Sequence, residues 1–437
     1  MMNTARTHLI CALLAAMVLA GPSAAADAAP RARALWLWDP APLLEDAAAR
    51  SGFFLFCRTR GITVVWMQIE LAGQGPDAQL AHAGEWRALL TEAHRAGLRI
   101  HALDGSPQYA LRANHAIMLG LAGAVIGFNT AGRAEQRFDG IHLDNEPYLL
   151  LAWRDRSRRE QVLQEFLELN AALQARARAA GLEYGIDIPF WWQAIDDAPR
   201  APIGVVTFRG IRKAASYHCL DLVDNVGIMD YRNTAQGPDG LIAHAAPLLE
   251  YADRVRHATL YVGVETSTAD NATYHFMAGI PRRRFLDSVA SASPALAPFE
   301  RADVRVVEAG DFVAAGVRVS SGDARVADRL QQLARAFDVK PDRGEAAEAA
   351  RRALAADPEW RDVQLAPLSD GESGRVLPGV RATRVMLPKL TFAGRSDADM
   401  ERELASAEAA FTRYSSYAGI AIHHYESYRR RFDVPVP

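Results

Sequence analysis

Three side chains set two residues apart carry the densest chemistry in this sequence: His142, Asp144 and Glu146, within Asp139-Gly-Ile-His-Leu-Asp-Asn-Glu-Pro147. In an extended strand alternate residues share a face. His142, Asp144 and Glu146 then point one way, and Ile141 and Leu143 the other. A carboxyl that must donate a proton near neutral pH needs a raised pKa, which a neighbouring acid and apolar walls supply. Asp144 is such a neighbour for Glu146, and Pro147-Tyr148 provides part of the wall. Met229 and Tyr231 share a face in another segment, and His423 and Tyr425 lie opposite Ile420 and Ile422 in a third. Asp104, Asp187 and Glu265 end further apolar runs. A single strand-end acid is commonly a helix N-cap or the partner of a loop arginine. His142 taken alone reads as a core histidine bonded to Asp144. Several polar groups converging on one face are harder to explain by capping, because uncompensated burial is unfavourable.

The elements that must position these groups recur with a regular beat. Short runs rich in β-branched and aromatic residues span 34–39, 62–69, 98–104, 138–144, 183–188, 223–230, 259–265 and 419–425. Helical spacing lies between them, as in 84–96 and 155–180. The first seven starts are 28, 36, 40, 45, 40 and 36 residues apart. This is the cadence of βα units, and eight of them predict a closed (β/α)8 TIM barrel, an α/β fold. A doubly wound sheet is the alternative, but no Gly-x-Gly-x-x-Gly follows the first strand. The seventh and eighth starts are 160 residues apart. A large α+β insertion over 274–395 is therefore expected between strand 7 and its helix, on the catalytic face. Within it, 302–308 and 312–319 look like a strand pair, and 323–337 and 344–355 look helical. Val385–Phe392 is a ninth strand candidate that would displace Glu265 from the seventh position.

Arg6 and His8, the apolar run Leu9–Ala20 and the small residues Ser23–Ala26 follow the order of a secretory signal peptide over 1–26. The catalytic barrel would occupy 27–437, secreted or periplasmic. The run is short for a membrane span, and an uncleaved N-terminal anchor is the competing reading. Without the leader, 48 basic side chains face 52 acidic ones with no basic run, which gives no case for nucleic acid as a partner. Cys11 leaves with the leader, and Cys57 and Cys219 read as two buried free thiols. Asn271-Ala-Thr273 fits a glycosylation acceptor. No cofactor is implied.

Closely spaced carboxylates with a tyrosine suit cleavage of a glycosidic bond in a carbohydrate substrate. Trp36, Trp38, Trp191 and Trp192 lie near strand ends and could stack on sugar rings, although large aromatics are often core. Asp139-Gly-x-x-x-Asp144-x-Glu146 resembles the fourth-strand motif of family 18 chitinases. Met229-x-Tyr231 resembles that family's sixth-strand Met-x-Tyr, and Val262-Gly-Val264 its seventh strand. The resemblance implies Glu146 as general acid, Asp144 as the residue orienting a substrate N-acetyl group, and Tyr231 as a second contact, with the substrate amide as nucleophile. His142 replaces the family's middle aspartate, Arg232 its acid after tyrosine, and His423 its tryptophan. The third strand also lacks its Ser-x-Gly-Gly.

Asn145-Glu146-Pro147 also resembles the strand-four ending of the large clan of retaining barrel glycosidases. That likeness implies Glu265 as nucleophile across from Glu146. Between them the two readings make Glu146, Asp144 and Glu265 the catalytic candidates. Tyr231, Asp187, His423, Trp38, Trp191 and Asp104 are the substrate-binding candidates. A catalytically inactive carbohydrate-binding barrel is a different class of reading. A metal-dependent hydrolase using His101, Asp104, His142, Asp144 or His423 is a third, without convincing ligand spacing.

Overall fold

The computed structural model describes residues 32–73, 75, 78–150, 153, 156–193, 204–267, 271–281, 301–309, 312–320, 366–369, 376–384 and 388–432. The leader and the two expected insertion helices lie outside them. Eight parallel strands close into a barrel: β1 (Arg33–Leu37), β2 (Ile62–Gln68), β3 (Arg99–Asp104), β4 (Gly140–Leu143), β5 (Glu183–Pro189), β6 (Asn225–Met229), β7 (Thr259–Glu265) and β8 (Tyr417–His423). Each pairs with its neighbours in sequence, and β8 pairs with β1 to close the ring. A helix follows every strand: α1 (Ala47–Thr59), α2 (Ala83–Arg95), α3 (His115–Ala131), α4 (Arg156–Ala179), α5 (Ala215–Leu222), α6 (Leu241–Val255), α7 (Asp397–Phe411) and α8 (Tyr425–Arg430). The expected TIM barrel is the fold.

Alternation divides each strand between two environments. Leu35, Leu37, Val65, Met67, Ile141, Leu143, Ile186, Ile188, Ile228, Val262 and Ile422 join the layer packed under the helices. The opposite face fills the barrel with Ala34, Trp36, Val64, Trp66, Leu103, Tyr261 and Ala421. Trp36 and Trp66 meet edge to face at 4.4 Å between ring centroids. Two indoles fit because glycine stands opposite them. A Cβ on Gly227 would lie 3.1 Å from Trp66 and 3.2 Å from Trp36, and one on Gly263 would lie 3.0 Å from Trp36. Interiors are packed to crystal-like density, so such room must be provided in the sequence.

β4 is shorter than expected because Asp139 leaves the ladder. Its carboxylate accepts the Ile100 N–H at 2.7 Å and lies 3.1 Å from His94 Nε2. Asp224 does the same at the entry of β6, accepting the Tyr184 N–H at 3.0 Å. Cys57 on α1 and Cys219 on α5 are buried and unpaired.

Between β7 and α7 lies a five-stranded antiparallel sheet, ordered Arg301–Ala309, Phe312–Ser320, Asn271–Pro281, Val376–Arg384, Ala366–Ser369. Arg301–Ala309 and Phe312–Ser320 form the expected pair. Of the ninth strand candidate, the described residues 388–392 are not part of the barrel ladder. Residues 388–390 form a single 3-10 turn, and the Phe392 N–H then donates to the Glu265 carbonyl at 2.8 Å. Residues 385–387 lie outside the described set. Glu265 thus closes the seventh barrel strand. No helix among the described residues is long and apolar enough to cross a membrane.

Candidate active site

The carboxyl ends of the strands gather most of the expected groups at one mouth of the barrel. At the end of β4 the Asp144 N–H still pairs with the Asp104 carbonyl at 3.0 Å. The Asn145 side chain then accepts the Ser106 N–H at 3.2 Å. A one-turn helix, Pro147–Leu149, reverses the chain and lets the Tyr148 hydroxyl donate to Glu146 Oε1. Burial, then the adjacent Glu146 charge, pushes the Tyr148 phenol well above its ordinary pKa, so it remains a donor. Asp144 is buried and Glu146 half-buried.

β3 approaches this segment so closely that only glycine fits after Asp104. A Cβ on Gly105 would lie 2.1 Å from the Asp144 carbonyl oxygen. Gly105→Ala is expected to destabilise the fold by about 1–3 kcal/mol, because the two strand ends must part. Denaturant unfolding measures this, and an unchanged midpoint would show that the contact is not rigid.

Asp104 itself falls on the face of Ile100 and Ala102 rather than on the axial face of His101 and Leu103. Its carboxylate accepts the Gly105 N–H at 2.8 Å. Burial raises it to about 6, with that bond pulling the other way. Alternation along β3 carries this information, whereas the position of Asp104 at the strand end does not.

Glu265 and His423 stand opposite each other in the β7–β8 ladder. His423 Nδ1 lies 2.7 Å from Glu265 Oε2. Glu265 Oε1 accepts the backbone N–H groups of Thr266 at 2.8 Å and Ser267 at 2.6 Å. Burial favours the neutral acid, yet the imidazole and Ser267 outweigh it and hold Glu265 below the usual carboxylate range. The Trp38 indole N–H donates to His423 Nε2 at 3.0 Å. The Tyr231 ring lies 5.6 Å from the His423 ring. Tyr231 and Trp38 are half-buried at the mouth.

Below this layer lie buried side chains. His142 stacks on Trp66 at 4.0 Å between centroids. Its Nε2 lies 3.0 Å from Asp187 Oδ1, so its near partner is on β5 and not Asp144 as expected. Asp187 Oδ2 accepts the Trp36 indole N–H at 2.8 Å. Both His142 and Asp187 are 0 % exposed. Burial pulls the imidazole down to about 3, so it is neutral at ordinary pH. Among the four tryptophans, Trp36 and Trp192 are core, whereas Trp38 and Trp191 are half-buried.

Two neighbours went unnoticed in the sequence. Tyr148 was expected only as wall, yet it bonds Glu146. Asp230, on the outer face beside Tyr231, pairs with His244 Nδ1 of α6 at 2.8 Å. The His244 ring stacks on Phe190 at 4.0 Å, at the start of the turn Phe190–Gln193 that carries Trp191. Trp191 in turn meets the Tyr148 ring at 5.3 Å. The alternation that places Tyr231 inward also turns Asp230 toward α6, and this was the available signal. No group of three or more His, Cys, Asp or Glu side chains among the described residues is arranged to hold a metal ion.

No family model and no curated protein matches the sequence. Among solved structures the chain is similar to a chitinase from Bacteroides thetaiotaomicron, at 12% identity over 91% of this chain and 90% of that one, with a TM-score of 0.40. It is also similar to a chitinase from Chromobacterium violaceum, at 15% identity over 74% and 99%, TM-score 0.34. A third is the spore cortex-lytic enzyme SleL from Bacillus megaterium, at 12% identity over 71% and 69%, TM-score 0.31. The barrel assignment rests on the closed eight-strand ladder itself.

Proposed function

We propose that the protein is an exported glycoside hydrolase that cleaves an oligosaccharide or polysaccharide with retention, using Glu146 as general acid and the substrate's own 2-acetamido group as nucleophile. The observation that carries this reading is the β4 end. Glu146 is held there by the Tyr148 hydroxyl, two residues beyond the buried Asp144. Glu146 gives its proton to the glycosidic oxygen as the amide oxygen attacks the anomeric carbon and the bond to the leaving sugar breaks. Water then opens the cyclic intermediate, and Glu146 takes that water's proton. Asp144 and Tyr231 are assigned to the acetamido group. Trp38 and Trp191 are assigned to the sugar faces. Export follows from the N-terminal leader pattern.

The state of Glu265 favours the amide over a second carboxylate. Its two oxygens are already engaged by His423 and by two N–H groups of its own turn. These bonds draw charge from the carboxylate and hold it in place, which opposes its advance on an anomeric carbon. Glu265→Gln is therefore expected to keep kcat within about tenfold of wild type on N-acetylglucosamine oligomers, and azide should not rescue it. Near-abolished turnover restored by azide, with inverted product, would replace this mechanism with the two-glutamate one. If folded wild-type protein releases no product from any glycan tested, the hydrolase reading fails and an inactive carbohydrate-binding barrel takes its place.

A further inference from the structure

Glu265, His423 and Trp38 form a directed chain. An indole nitrogen only donates. The nitrogen of His423 facing Trp38, Nε2 at 3.0 Å, must therefore be the unprotonated one. The ring proton then sits on Nδ1, pointing at Glu265 Oε2 2.7 Å away. A carboxylate on one ring nitrogen fixes which nitrogen carries the proton and which accepts. With the imidazole neutral, Glu265 loses the attraction of a full positive charge but keeps the bonds from Nδ1, Thr266 and Ser267, so the carboxylate remains its favoured form. Trp38 is the half-buried end of this chain, whereas His423 is 4% exposed.

We infer that the Glu265–His423 pair is a positioning relay that fixes the ring plane of Trp38 at the barrel mouth, and that protonation of His423 releases that ring. A proton on Nε2 would set two N–H groups against each other, and they must separate. Among the described residues, the groups seen to face His423 are these. Glu265 comes from β7 and the Tyr231 phenol from β6. Trp36 and Trp38 are neutral on β1, with the Trp36 ring 5.7 Å from His423. His424 follows in the chain, with its ring 5.0 Å away and its Nδ1 held by Glu426 at 2.5 Å. Trp36 does not follow Trp38, because Asp187 holds it from below. The relay makes affinity at the mouth depend on pH without any change in the acid Glu146. That consequence rests on the reading of the mouth as a sugar site; the orientation of Trp38 does not.

The test reads the two separately. The Trp38 indole N–H is assigned in a 15N spectrum by its loss in Trp38→Phe, with no ligand present. In wild type it should move from a bonded position at pH 8 to that of a water-exposed indole at pH 5. His423→Gln carries one acceptor and one donor in place of the two ring nitrogens and does not titrate, so there the signal should stay in the bonded position throughout. A wild-type signal that ignores pH overturns the relay, as does an identical shift in His423→Gln. Should His423→Gln not fold, Glu265→Gln serves instead. Removing the negative charge should lower the midpoint of the Trp38 shift by about one pH unit, and an unmoved midpoint overturns the relay. Affinity for N-acetylchitotetraose, measured by calorimetry on Glu146→Gln, should weaken about tenfold from pH 8 to pH 5 and become flat when His423→Gln is added. Absence of binding at every pH, with the Trp38 shift intact, leaves the relay standing and removes the sugar site.

Discussion

Glu146→Gln is expected to lower kcat on an N-acetylglucosamine oligomer by about 10²–10⁴-fold, which corresponds to about 3–5 kcal/mol of lost transition-state stabilisation. Glutamine keeps the size of the side chain and can still accept from Tyr148, so the fold and sugar binding should survive. What disappears is the proton for the departing oxygen. The loss must therefore depend on how much the leaving group needs that proton. A sugar alkoxide is a poor leaving group and should suffer the full effect, whereas a dinitrophenolate departs unprotonated. Release of dinitrophenol in the first turnover should accordingly fall by about tenfold or less. Rapid-mixing measurements on the two substrates decide the matter. Equal losses on both would mean that Glu146 acts by binding or shaping the site, and the acid would have to be sought elsewhere in the mouth.

Much of the barrel was legible because its signal is periodic. Eight apolar runs, seven of them at 28 to 45 residue intervals, left little room for another closed fold. The alternation in β4 fixed which way His142 and Asp144 face. Partners were less legible, because they come from strands far apart in the chain. Glu265 and His423 meet only because the barrel closes with β8 between β7 and β1. Nothing in either segment announces this. His142 comes beside Asp187 because Gly185 leaves room for the imidazole and Gly227 for the carboxylate, a fit between strands that neither glycine shows by itself. Asp104 ends its run as a site residue would, but its parity with Ile100 and Ala102 turns it to the outer face. The insertion followed from spacing alone, since 160 residues exceed any single helix and loop. Its strand pair was visible in the β-branched runs, whereas the order of its five strands was not.

The layer beneath the mouth should decide stability rather than chemistry. Asp187 is 0 % exposed, holds the Trp36 indole N–H at 2.8 Å and lies 3.0 Å from His142 Nε2. Asp187→Ala removes the acceptor of the buried Trp36 indole N–H and the carboxylate beside His142, and opens space between two indoles. Leaving such groups unpaired costs more than their pairing contributes, and the expected loss is about 3–5 kcal/mol. Asp187→Asn keeps an acceptor for Trp36 and should lose about 1–2 kcal/mol. Denaturant unfolding of the two variants separates this from a direct role in sugar binding, since a residue that only touched ligand would leave the midpoint in place. The pH dependence follows from the same layer. His142 titrates near 6.5 when unfolded and at about 3 in the fold, because burial disfavours its charge. Between those values the unfolded chain binds the extra proton. The His142 contribution is therefore intact above 6.5 and is lost as the pH falls toward 3, at up to about 1.4 kcal/mol per pH unit. Replacing His142 with phenylalanine, which can still stack on Trp66, should flatten that part of the stability profile. A slope unchanged in His142→Phe would assign the acid sensitivity to His101, whose imidazole burial also brings down to about 3.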